Sequence, residues 1–231
     1  MSAKEDVPNI MTILQADIFG SPNIGVYCFA CEGWAAVPAG TPQNKKKKFS
    51  ACLNVEVCEV NVAGSNLLGI LLAGNTNGLA VPDIIHDHEL ETIKKSTKSN
   101  IETLKDERNA LGNLILANDH GAIVDPSFST TTIRALEQLF QVEVVKGRIS
   151  GFPYVGSLGV ATNKGAIIHP LIRDDEKETL EEVLKVPIEP STVNGGVPFI
   201  RSGLLATSIG VVTGPLTVGN ELMVISRVME V

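Results

Sequence analysis

The residues with the most reactive chemistry in this 231-residue chain are four cysteines, four histidines and one run of lysines. Cys28 and Cys31 stand as a C-x-x-C pair, with Cys52 and Cys58 downstream. Such a pair exchanges disulfides when a helix N-terminus lowers one thiol pKa, and four thiolates can hold zinc. Here the pair is followed by a hairpin turn instead of a helix start. Ordinary buried and turn thiols are therefore expected. The histidines are scattered. His86 and His88 fall two apart at the start of a helix, a spacing that does not share a helical face. His120 lies in a turn, and His169 precedes a proline. None converges in sequence with a cysteine or an aspartate, so neither catalysis nor metal binding is expected of them. Lys45, Lys46, Lys47 and Lys48 are the one strong basic run, read as solvated surface or as a contact for phosphate or an acidic patch. No Walker lysine motif or nucleotide-binding glycine fingerprint occurs, and no cofactor is expected.

The elements that position these residues follow a repeat. A glycine, a short apolar run and a proline recur five times: Gly33-Trp34-Ala35-Ala36-Val37-Pro38, Gly78-Leu79-Ala80-Val81-Pro82, Gly121-Ala122-Ile123-Val124-Asp125-Pro126, Gly165-Ala166-Ile167-Ile168-His169-Pro170 and Gly210-Val211-Val212-Thr213-Gly214-Pro215. The prolines fall 44, 44, 44 and 45 residues apart. Five in register make an internal repeat. In that register Cys28 superposes on Leu72, Leu116 and Val160, which are core strand positions. Cys31 superposes on turn residues such as Asn75, and His169 on Asp125.

Each unit opens with an apolar run, such as Ile70-Leu71-Leu72-Ala73 or Leu204-Leu205-Ala206-Thr207. A polar turn carrying Asn and Gly follows, as in Asn75-Thr76-Asn77-Gly78, and these residues tolerate the positive φ of a hairpin. Proline then ends the ladder, having no N–H to give. Beyond it the apolar period lengthens to that of a helix, as in Ile133, Leu136, Leu139 and Phe140. An alternating strand closes the unit, as in residues 55–60 and 142–145. The module is β-β-α-β. The fifth unit runs out before its third strand, and residues 13–18 offer a substitute at the other end of the chain. Pairing them with the last unit would remove two raw sheet edges. The expected fold is α/β: a closed five-bladed propeller of pseudo-fivefold symmetry over residues 11–231, with residues 1–10 a loose tail. An open, capped solenoid is the alternative.

Composition sets outer bounds. Hydrophobic residues make up 44% and aromatics 4%, so the core is built of Val, Ile, Leu and Ala. A net charge of -7 argues against broad DNA binding, which needs a field of Lys and Arg. Apolar runs stop after six or seven residues, short of the roughly 20 that span a bilayer. With no signal-peptide pattern and several cysteines suited to a reducing compartment, a cytoplasmic location is expected, with no DNA, no membrane and a monomer in solution.

A second signature precedes each hairpin: Asn23-Ile24-Gly25, Leu67-Leu68-Gly69, Ala110-Leu111-Gly112 and Tyr154-Val155-Gly156. A glycine at one place in four of five units implies close backbone approach around a central axis. Asn66, Asn109 and Asn113 place amides in this region. Asn113 has no asparagine counterpart, since Ile70 and Ser157 stand at its place in the neighbouring units. Something beyond architecture is expected to hold it.

These motifs resemble the archaeal and eukaryotic translation initiation factor 6 family, and the archaeal members most. The resemblance covers about residues 11–231 and rests on Asn23-Ile24-Gly25-Val26, Gly74-Asn75, Gly78-Leu79-Ala80-Val81-Pro82, Asp87-His88-Glu89-Leu90, Asn109-Ala110-Leu111-Gly112-Asn113, Asn118-Asp119, Thr162-Asn163-Lys164-Gly165 and His169-Pro170. It implies the pentein fold of five ββαβ units and a non-catalytic ribosome anti-association factor. Such factors sit on the large (50S) subunit near the sarcin–ricin loop of the rRNA, contact ribosomal protein uL14, and keep the small (30S) subunit from joining. By the same resemblance Asn113 belongs to the contact surface, with Asn75 on or near that face. The Lys45, Lys46, Lys47 and Lys48 run departs from the family pattern.

The same fold houses guanidine-modifying enzymes, the competing class. They need a nucleophilic cysteine late in the chain, and here the last cysteine is Cys58. A structural adaptor with no ribosomal role is the remaining alternative.

Overall fold

The computed structural model describes residues 12–231; the tail expected over residues 1–10 lies outside the described residues. The first element of the described residues is β1 (Ile13–Gln15). The first unit then runs α1 (Ile24–Tyr27), β2 (Phe29–Cys31), β3 (Trp34–Val37), α2 (Gln43–Leu53), β4 (Glu56–Glu59). The second is α3 (Leu68–Leu71), β5 (Ala73–Gly74), β6 (Gly78–Pro82), α4 (Asp87–Ser96), β7 (Asn100–Leu104). The third is α5 (Leu111–Leu114), β8 (Ile115–Ala117), β9 (Gly121–Val124), α6 (Thr130–Phe140), β10 (Glu143–Lys146). The fourth is α7 (Val155–Leu158), β11 (Gly159–Ala161), β12 (Ala166–Ile168), α8 (Asp174–Leu184), β13 (Ile188–Pro190). The fifth is α9 (Ile200–Gly203), β14 (Leu204–Ala206), β15 (Val211–Thr213), α10 (Gly219–Met229).

Each unit is one three-stranded sheet with an antiparallel hairpin and a parallel third strand. The fifth sheet takes its third strand from the N-terminus, with Ile13, Leu14 and Gln15 opposite Val211, Val212 and Thr213. The one-turn helices touch in the order α1, α3, α5, α7, α9, and α9 touches α1. These helices were not anticipated. The apolar runs read as first strands begin one turn earlier, where Cys28 N donates to Ile24 O and Leu72 N to Leu68 O. A glycine in that turn lets neighbouring units approach so closely that a helical turn fits where a strand would not.

The anticipated glycine contact is severe. A Cβ on Gly25, Gly69, Gly112 or Gly156 would lie 1.8, 1.8, 2.0 or 2.2 Å from the carbonyl oxygen of Arg201, Gly25, Gly69 or Gly112. Each is the corresponding residue of the preceding unit in the cycle, and the fifth place is held by Arg201.

A second close approach fixes the long helices. Helix α2 lies over β15, α6 over β6, α8 over β9 and α10 over β12. A Cβ on Gly210, Gly78, Gly121 or Gly165 would fall 2.0, 2.4, 2.2 or 2.1 Å from the helix carbonyl above it. The first unit differs. Strand register sets Trp34, not Gly33, against Gly78: Trp34 pairs with Glu56 as Gly78 pairs with Asn100. The indole takes the space of a helix end, Nε1 donating to Ser96 Oγ at 3.2 Å, and α4 is 10 residues long where α6 has 11. The core is divided accordingly. It forms five clusters, each joining one unit's helix and sheet to the sheet before it, as Phe140, Leu136 and Val124 meet Ala80 and Leu104.

Candidate interaction face

First strands run away from the one-turn helices and second strands return, so the two ends of the molecule differ. At the return end Asp125 N donates to Leu114 O, His169 N to Leu158 O and Gly214 N to Gly203 O. The opposite end carries the hairpin turns.

The hairpin end is a polar ring that binds its own members. Asn75 is 2% exposed. Its Nδ2 donates to Asn118 O at 3.1 Å and Phe140 O at 2.9 Å, while its Oδ1 accepts from Asn77 N and Gly78 N. Asn118 repeats the arrangement against Thr162 O and Leu184 O. One residue further on, Thr76 N donates to Asp119 Oδ1, Asp119 N to Asn163 Oδ1, Asn163 N to Ser208 Oγ and Ser208 N to Glu32 Oε1. Asn75 is thus a buried clamp, and the structure does not place it beside Asn113.

Asn113 lines a depression of about 200 Å³ at the other end, with Val26, Ile70, Ser157 and Ser202 around it and Phe199 at its rim. Val26, Ile70, Asn113, Ser157 and Ser202 each follow the axial glycine or its substitute, so the depression gathers one position from every unit. Arg201 forms its floor, with Nε donating to Gly69 O at 3.0 Å and Nη2 to Leu72 O at 3.3 Å. Its guanidinium sits 5.8 Å from the Phe29 ring centroid. Burial pulls its pKa down to about 10, with the Cys31 sulfur opposing, so it stays charged at neutral pH. Behind it lies a chamber of about 30 Å³ lined by Phe29, Cys31, Asn75 and Asp119, which is room for little more than one water. Arg201 escaped the sequence reading because only the absence of the fifth glycine marks it.

The rim is apolar. Of nine exposed large hydrophobic residues among the described residues, seven (Phe19, Ile84, Phe152, Leu171, Phe199, Leu216 and Val218) lie in the loops of this end. The loops are rigidly held. Ala63 N and Gly64 N donate to Glu89, Ser150 N and Gly151 N to Glu176, and Gly195 N and Gly196 N to Glu221. Burial raises the Glu89 and Glu221 pKa values, yet the hydrogen bonds they accept outweigh it and both end below the usual value. In the third unit Thr132 stands at that helix position and the carboxylate comes from the loop instead: Asp106 accepts from Thr132 Oγ1 at 3.1 Å and from Arg108 Nε at 2.7 Å. Asn109, just before the Asn113 turn, keeps a buried side-chain oxygen without a described protein partner.

The other sequence candidates separate from this face or lose their chemistry. Burial pushes Cys28 and Cys31 up to about 12 and raises Cys52 and Cys58, and all four are free thiols. Cys31, expected in the turn, is the last residue of β2 just before it, and its Sγ contacts Trp34 O and Asn75 O, both at 3.7 Å. Lys45 donates to Asp17 O at 2.7 Å and Oδ1 at 3.1 Å, and Lys46 pairs with Glu59. Lys47 and Lys48 are exposed. His169 Nδ1 accepts from Leu171 N at 3.2 Å, as Asp125 Oδ1 accepts from Ser127 N at 2.7 Å, which bears out their equivalence.

Fold and face together define a rigid five-unit α/β repeat protein whose conspicuous surface is the apolar end that carries the Asn113 depression. The comparisons specify it further: a model of the eIF-6 family matches residues 13–228, and the chain belongs to that family. It is 39% identical over 220 residues to translation initiation factor 6 of Staphylothermus marinus, covering 94% of this chain and 97% of that one. The Thermococcus onnurineus protein of the same name is 38% identical, with 95% and 98% covered. That of Methanosarcina mazei is 37% identical, with 91% and 94% covered. These are names of a translation factor, not of an enzyme. No helix among the described residues is long and apolar enough to cross a membrane.

Proposed function

We propose that this protein is a translation initiation factor that binds the large (50S) ribosomal subunit through the Asn113 end and keeps the small (30S) subunit from joining. The observation that carries the choice of face is the coincidence of the Asn113 depression with seven exposed apolar side chains on loops clamped by buried carboxylates. Preorganised loops lose little conformational freedom on docking. Their scaffold is read as a closed five-bladed propeller, supported by the β1–β15 pairing and the cyclic helix contacts. Ribosomal protein uL14 and rRNA near the sarcin–ricin loop are the proposed partners. An acidic body of net charge -7 suits a basic protein partner, while the exposed Lys47 and Lys48 are the remaining candidates for phosphate.

An enzyme of the same fold is disfavoured by the absence of any cysteine after Cys58. Purified subunits sedimented with the factor test the binding reading. Co-migration with the large subunit alone is expected, and Asn113→Ala should weaken it without changing the melting temperature. No association with either subunit would overturn the proposal.

A further inference from the structure

We propose that His86 and His88, backed by the Glu89 carboxylate, form a binding site for a divalent transition-metal ion of the zinc class. A spacing of two residues keeps side chains off a common face only where both lie on the helix. His86 does not. It is the N-cap of α4, with extended backbone at φ -80° and ψ 147°, so its ring departs from the helical wheel and turns toward His88. The two imidazoles stack with centroids 5.5 Å apart and planes 20° apart. One ligand atom each from His86, His88 and Glu89 lie within 4.8 Å of one another. His86 Nδ1 is 3.4 Å from Glu89 Oε2. Two ligands at about 2.0–2.1 Å from one ion span about that distance across a tetrahedral angle.

The site combines one fixed group with two adjustable ones. Glu89 is buried and immobilised, accepting from Ala63 N at 2.7 Å, Gly64 N at 2.8 Å and His86 N at 3.0 Å. Both histidines are exposed and can rotate to close the remaining gap. Imidazole and carboxylate together suit zinc, copper and nickel better than calcium or magnesium. The positive end of the α4 dipole opposes a cation; the carboxylates of Asp87 and Glu89 in the first turn of the same helix oppose that in turn. Three protein groups leave a coordination position open to solvent. The site shares its loop with exposed Ile84, at the apolar end, and its metal affinity is a property of the free protein, independent of whether that end meets the ribosome.

Calorimetric titration of Zn²⁺ into the full chain, carrying no appended histidine tag, tests the assignment. One equivalent should bind saturably. His86→Ala and His88→Ala should each weaken binding by at least about tenfold, the lower range for lost groups around a metal, and the double variant should abolish it. Both residues are exposed, so unchanged melting temperatures are expected of these variants. Co²⁺ spectra exclude the cysteines as the source: thiolate charge-transfer bands, absence of saturable uptake, or uptake unchanged in the double variant would each overturn the site.

Discussion

At the scale of single residues, two asparagines that look alike in sequence do opposite work. Asn75 spends its whole amide on four backbone groups inside the hairpin ring. Asn113 lines an open depression. Asn75→Ala should therefore cost about 1–3 kcal/mol through buried groups left unpaired, measured by denaturant titration, with subunit affinity unchanged under conditions where it stays folded. Protonation acts at the same scale. Glu89, Glu221 and Asp106 have folded pKa values below the ordinary 4.5 or 3.8. Their contribution is present above those values and lost as pH falls through the folded ones. Burial also lowers His169 below its ordinary 6.5, so the unfolded chain binds more protons on acidification. Both shifts share a sign: the melting temperature should decline first below about pH 6.5 and further below about pH 4.5. A protein more stable at pH 4 than at pH 7 would contradict this.

At the scale of elements, the glycines separate into kinds that type alone does not distinguish. Gly33 has φ +85° and open space around it, whereas a Cβ on Gly69 would lie 1.8 Å from Gly25 O. Gly33→Ala should cost about 1–2 kcal/mol for left-handed backbone. Gly69→Ala should prevent α1 and α3 from meeting, read as loss of the cooperative melting transition. The repeat made the axial glycines legible, because a residue kept for close approach recurs at fixed spacing. It concealed their substitute. Arg201 fills the fifth place with a guanidinium held by two carbonyls of the second unit, a contact between residues 132 apart in sequence. Gly33 misled in the other direction: the stretch from turn to anchor proline is one residue shorter in the first two units than in the other three, so counting back from the proline lands on Gly33 where strand register gives Trp34. The one-turn helices were illegible for a related reason: four residues are too few to show a period.

At the scale of the whole molecule, the N-terminal strand is the part of the architecture most fully readable beforehand. A fifth unit short of one strand and a spare strand at the other end predict the β1–β15 pairing that is found. Deleting residues 1–16 should expose the edge of β15 and shift the protein toward concentration-dependent association relative to the full chain, which light scattering with size exclusion would detect. The location of the face was half legible. Asn113 was marked by its departure from the repeat, but of the seven apolar residues around that end only Leu171 and Leu216 share a place counted from the anchor proline, each directly after it, so the apolar character of the end does not show as a period. The central claim is that a rigid factor seated by this face excludes the small subunit. Light scattering of subunit joining, with the large subunit first incubated with the protein, tests it most directly. Joining should be blocked by near-stoichiometric wild type and restored toward the uninhibited rate with Asn113→Ala. Joining at full rate while the protein remains bound to the large subunit would contradict it.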